Sequence, residues 1–246
     1  MQCEEGTRPA EDPEVVETRL FGVRKLSIVP LVIGRKGGGR PSTSSVTLVK
    51  TLGSTVVVDS GSPEVGNEIL EGMKAADAKM EKVNVLVTTR ADSLHTGNDH
   101  LFVHALQHVR KGEWSDVPFR SGRKVAITNR VHWIDRYLML VSLPFPEPGS
   151  LALLVHLPRA PNLIDPVSKH LAGKIIGVAG FGIPSCEDPE VKKALKRARS
   201  MDRSKVSPSS ISTIEDLLAY CDQIVPAYGP MFPTRPEHGP GPCSDR

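Results

Sequence analysis

Aromatic residues are scarce in this chain: two Trp, three Tyr and six Phe among 246 residues. Trp114 and Trp133 lack the aromatic interleaving of a base-stacking platform, which argues against gripping single strands by stacking. Cysteine is sparse too, and Cys3, Cys186, Cys221 and Cys243 fall at no metal-ligand or redox spacing. No stretch approaches the roughly 20 apolar residues of a membrane span. Residues 1–14 are polar and acidic, without an apolar signal core. A net charge of only +3 gives weak long-range steering toward nucleic acid or anionic lipid. These absences predict no membrane partner and a cytoplasmic, also nuclear, location.

What is present is a β-rich apolar pattern. Residues 15–34 form an extended, branched run, followed by a glycine-rich basic loop with Lys36 and Arg40 at 34–45. That loop lacks the Lys-Ser/Thr and the strand–loop–helix setting of a phosphate-cradling loop. Strands are expected at 46–50, 55–59, 83–88, 125–128, 137–143, 151–156, 174–179 and 224–225. A helix is expected from Pro63, with Val65, Ile69, Leu70 and Met73 on its apolar face. A second is expected over 98–109, which would line up His100, His104 and His108 on one stripe. A helix over 189–204 and another over 210–220, boxed by Ser212 and Glu215, complete the set. The order gives two β-rich halves, each with helices on one face: an α/β (α+β) four-layer αββα sandwich of two mixed sheets. The expected boundaries are a disordered segment at 1–14, one domain at 15–231 and a disordered Pro- and Gly-rich tail at 232–246.

Several side chains carry candidate chemistry. Lys192, Lys193, Lys196 and Arg197, continued by Arg199, Arg203 and Lys205, form a basic run. Such a run is most often a solvated helix face, and otherwise a contact for RNA or an acidic partner. Ser60 and Ser93 have no His/Asp relay in the sequence, which argues against a serine hydrolase.

Four motifs, spread over about 26–233, resemble the metallo-β-lactamase superfamily. Val56-Val57-Val58-Asp59-Ser60-Gly61 resembles its strand ending in Asp-Thr/Ser-Gly. Val87 to Asn98 resembles its strand, His-x-His-x-Asp-His loop and Thr-Gly-Asn exit. Val178-Ala179-Gly180-Phe181 resembles its Ala-Gly-Asp strand end, and Val225 to Pro230 its Val-Pro-Gly-His-Gly-Pro segment. The resemblance implies one or two zinc ions held by His and Asp, with metal-bound hydroxide as nucleophile.

At the matching positions the ligands are mostly gone. The loop ligands become Arg90, Asp92 and Leu94, and only His95 is kept. The later His falls at Phe145, the bridging Asp at Phe181 and the final His at Tyr228. Leu and Phe have no donor atom, and Arg is a fixed cation. Asp92 and His95 are the residual metal candidates, and no cofactor is expected although zinc serves the family. Stripping a metal from paired carboxylates and imidazoles strands buried charge, at several kcal/mol per ion. Apolar filling, with Arg90 pairing Asp92, relieves that cost. The expectation is an interaction or regulatory module with an unknown protein partner or RNA, a homodimer being compatible. The alternatives are the metal-dependent endoribonuclease that the resemblance implies and a non-catalytic RNA-binding module.

Overall fold

The computed structural model describes residues 16–20, 24–51, 53–111, 123–146, 148–159 and 173–235, with side chains from Leu26 onward. The segment expected to be disordered at 1–14, residues 236–246 of the tail expected at 232–246, and Trp114 lie outside the described residues.

The expected αββα sandwich is what forms. The first sheet has seven strands in chain order. They are β1 (Val16–Leu20), β2 (Arg24–Val32), β3 (Val46–Lys50), β4 (Thr55–Val58), β5 (Val85–Val87), β6 (Leu106–Arg110) and β7 (Lys124–Ile127). Pairing is antiparallel from β1 to β4 and parallel from β4 to β7. The second sheet has six strands in the order β13-β12-β11-β10-β9-β8. These are β8 (Val131–Trp133), β9 (Leu138–Leu143), β10 (Ser150–His156), β11 (Ile175–Gly180), β12 (Gln223–Pro226) and β13 (Phe232–Pro233). Among the described residues its parallel pair is β11 with β12.

Strand periodicity builds the layers. Side chains alternate faces along a strand, so a strand covered on both sides reads as continuous apolar sequence. Val56 and Val58 of β4, Leu138 and Leu140 of β9, and Leu151 and Leu153 of β10 meet between the sheets. Their alternates point outward. Val57 and Leu86 join Val65, Ile69 and Met73 under the Gly66–Ala75 helix. Met139, Val141 and Leu154 join Val191, Leu195 and Leu218 under the Pro189–Ser200 and Ile214–Tyr220 helices. Leu70, expected on the apolar face of the first helix, is exposed.

Four expectations need correction. Residues 98–109 are not a helix: Asp99–Phe102 is a short 3-10 turn and Leu106–Arg110 is a strand parallel to β5. The His100, His104 and His108 stripe therefore does not exist. His108 instead packs against His132 of β8, the rings tilted with centroids 5.5 Å apart. The helix expected over 189–204 ends at Ser200, and a separate 3-10 turn covers Arg203–Lys205. The last helix is boxed by Thr213 and Asp216 rather than Ser212 and Glu215. Finally, the ordered chain passes 231: Phe232 is fully buried in β13, paired with Ile224. Among the described residues no helix is long and apolar enough to cross a membrane.

Candidate functional site

The ends of β4, β5 and β11 bring the two sheets together at one edge, and Thr89 is the joint. Its N–H donates to Asp59 Oδ1 at 2.7 Å and its hydroxyl donates to Asp59 Oδ2 at 2.7 Å. The same hydroxyl accepts from the Phe181 N–H at 3.3 Å, and the Thr89 carbonyl accepts from the Leu151 N–H at 3.1 Å. This approach requires Gly180, which lies at φ +46°. A Cβ there would come within 2.3 Å of Thr89 Oγ1. Asp59 also sits in the left-handed region, at φ +58°. Asp tolerates that region better than most residues, and at a cost.

Asp59 was visible in the sequence only as part of a strand-end motif, yet it is the most perturbed carboxyl at this edge. Complete burial pushes it up to about 7. The His95 charge and the Thr89 hydrogen bonds pull it back, and Asp92 pushes it further up. The signal available in the sequence was the Asp at a strand end followed by Ser-Gly. Its partner Thr89 is thirty positions away, and nothing local announced the pair.

The loop after β5 carries the expected substitutions. Asp92 caps a single helical turn, Ser93–Thr96, accepting from the Leu94 N–H at 2.9 Å. The same Asp92 oxygen lies 2.7 Å from His95 Nδ1. A carboxylate only accepts, so Nδ1 carries the proton. Asp92 Oδ2 lies 3.2 Å from Arg90 Nε. Burial would raise the Asp92 carboxyl, but the His95 and Leu94 bonds and the Arg90 charge outweigh it and hold it below its ordinary value. Burial would lower His95; the Asp59 and Asp92 carboxylates overcome that and the Arg90 charge, holding the imidazole above its ordinary value. His95 is buried, and its Nε2 has no hydrogen-bond partner among the described residues.

Phe181 closes over this network. Its ring meets His95 edge-on at 5.8 Å between centroids, and the Arg90 guanidinium lies 4.0 Å from its centre. Tyr228 is half-buried nearby. Burial first, then the Asp92 and Asp59 charges, raise its phenol against the pull of Arg90. Lys36, from the glycine-rich loop, sits 5.0 Å from the Tyr228 ring centre. The chain around Tyr228 is set by a close backbone contact: the Gly229 N–H donates to the Gly34 carbonyl, and a Cβ on Gly34 would strike the Ala227 carbonyl.

Arg90, Asp92, His95 and Phe181 are thus in contact, with Tyr228 within their electrostatic reach. Leu94 is half-buried and contributes its backbone, its carbonyl accepting from the Ser44 hydroxyl at 2.8 Å. Phe145 belongs by its packing to the cluster on the outer face of the second sheet. The basic run lies apart, on the exposed face of the Pro189–Ser200 helix and the turn after it. Lys192 pairs with Glu187, Lys193 with Glu190, Arg197 with Glu215, Arg203 with Asp222 and Lys205 with Asp202. Lys196 shares the exposed face.

The residues present do not fit a divalent ion. Both Asp92 oxygens are engaged, a guanidinium stands beside them, and a phenyl ring packs on the one imidazole. Among the described residues no three of His, Cys, Asp or Glu converge as a metal ion would need.

The fold is that of solved metallo-β-lactamases. A metallo-β-lactamase-type protein of Thermotoga maritima superposes with a TM-score of 0.59 at 14% identity, over 84% of this chain and 98% of its own. Rm3 metallo-β-lactamase superposes with a TM-score of 0.52 at 16% identity, over 87% of this chain and 78% of its own. A B3 metallo-β-lactamase with an active-site glutamic acid gives 0.51 at 13% identity, over 80% and 79%. Identity this low carries the fold alone. No protein-family model and no curated protein matches the sequence.

Proposed function

We propose that this chain is a metallo-β-lactamase-fold protein that has lost zinc binding and hydrolase activity and acts as an interaction or regulatory module. One observation carries this reading. Arg90 lies 3.2 Å from Asp92 and 4.0 Å from the Phe181 ring centre, so a fixed cation takes part in the network where the resemblance implies a metal ion. A guanidinium cannot lose its proton in a protein, so it supplies neither a ligand nor a metal-activated water. What it supplies is charge balance. With the His95 and Leu94 bonds, which contribute more, it helps hold the Asp92 carboxyl below its ordinary value.

The test is the metal content of the full chain, produced with added zinc and dialysed against a mild chelator. The expected content is far below stoichiometric. Zinc retained at one ion per chain would overturn the reading, and with it the role assigned to Arg90.

A further inference from the structure

Ser60 follows Asp59 but bonds a different carboxylate. Its hydroxyl donates to Asp99 Oδ1 at 2.7 Å, and Gln107 Nε2 donates to Asp99 Oδ2 at 2.8 Å. Gln107 is itself fixed, donating also to the Thr88 hydroxyl at 3.0 Å. Asp99 borders a pocket of about 390 Å³ on the helix side of the first sheet. That volume lies in the range of small-ligand sites. The wall is part apolar, from Pro63, Leu86, Phe102 and Ala105, and part polar, from Asp99 and Gln107 with Ser93, Thr96 and His100. Both donors bonded to Asp99 are neutral. Each carboxylate oxygen accepts from one of them and has further lone-pair capacity.

We propose that this pocket binds an alkylammonium group, its charge on Asp99 and its carbon stem against Leu86, Phe102 and Ala105. A mostly buried carboxylate held by neutral donors gains most from a cation that is desolvated with it. Burial pushes Asp99 up to about 6, with Ser60, Gln107 and the Lys124 charge offsetting part of the rise. A bound cation would relieve that penalty. A compact three-donor ammonium also suits the carboxylate better than a planar guanidinium, whose fork needs both oxygens in one open plane. The group could arrive on a free amine or on a lysine side chain.

The test is an amide-resolved NMR titration of the full chain with three probes: butylammonium, butan-1-ol and Nα-acetyl-lysine N-methylamide. Saturable shifts at Asp99, Phe102, Ala105 and Gln107 are expected with the two amines and not with the alcohol. Tighter binding of butylammonium assigns the site to free amines, and tighter binding of the lysine derivative to a protein side chain. Asp99→Asn keeps an acceptor and donor pair of the same shape, and should weaken binding at least about tenfold. Ala105→Phe fills the pocket, leaves Asp99 in place and should abolish the shifts. The proposal is overturned by no saturable shift with either amine, by an equal response to the alcohol, or by undiminished binding in the folded Asp99→Asn or Ala105→Phe protein.

Discussion

Asp59 is fully buried and Asp99 only partly so; Asp59 precedes Ser60 in the chain, Asp99 accepts from its hydroxyl, and burial raises both carboxyls. They differ in what encloses them. Asp59 is completely buried and receives two bonds from the residue that ties the sheets together. Asp99 ties a 3-10 turn to Ser60 and to β6 but keeps a pocket at its side. A raised carboxyl at this edge of the sandwich therefore does not by itself mark a site. The enclosed one is a structural knot, and the one with space beside it can receive a ligand.

The largest expected effect breaks the knot. Asp59→Ala leaves the Thr89 N–H and hydroxyl without their buried acceptor and should cost about 2–4 kcal/mol of unfolding free energy in urea. Asp99→Ala leaves only two neutral side-chain donors beside a cavity that admits water, and should cost about 1–2 kcal/mol. Equal losses would erase the distinction between the two carboxylates.

The pH dependence sharpens it. In the unfolded chain both carboxyls ionise near 3.8, whereas the folded protein keeps the Asp59 proton to about 7 and the Asp99 proton to about 6. Between those values the native state binds more protons, so unfolding free energy falls as pH rises, by an amount on the order of a few kcal/mol. His95, held above 6.5, adds to the fall as pH passes through its folded value. Asp92 acts oppositely, its contribution being lost only as pH drops below 3.8 toward its depressed folded value. Denaturant curves for Asp59→Asn should therefore flatten up to about pH 7, and those for Asp99→Asn only up to about pH 6.

Arg90→Ala removes a partly exposed ion pair and a cation–π contact and should cost about 1 kcal/mol by thermal unfolding. Lys196→Glu, on the solvated helix face, should change stability by less than about 0.5 kcal/mol. It should also leave any RNA affinity unchanged across a salt series. A marked loss of RNA binding in that variant would give the basic face a role beyond solvation.

The sandwich itself was legible because its strands carry apolar residues on both faces. The 56–58, 138–143 and 151–155 runs are short and dominated by apolar residues, as strands covered on both faces are, and their alternate residues fall in different core clusters. Residues 98–109 were not legible as turn and strand. Their apolar residues also fit a helical period, and only the parallel ladder with β5 selects extended structure for 106–110. The Arg90–Asp92 pair was legible since it spans two positions along one loop. Asp59 with Thr89 and Asp99 with Ser60 were not, because each pair joins residues thirty or more positions apart that meet only once β4, β5 and β6 align. The misplaced capping box is a smaller case. Ser212 does bond Asp216, at 2.9 Å through its N–H, but Thr213 supplies the capping hydroxyl.

The most direct measurement on the cleft is the side-chain ¹⁵N spectrum of His95 in the full chain, recorded before and after stoichiometric zinc. With Arg90, Asp92 and Phe181 already closed around the imidazole, Nε2 should keep its resonance and Nδ1 its bonded proton. A large shift of Nε2 at one equivalent of zinc, reversed by chelator, would show that the ring still ligates a metal and would contradict the account.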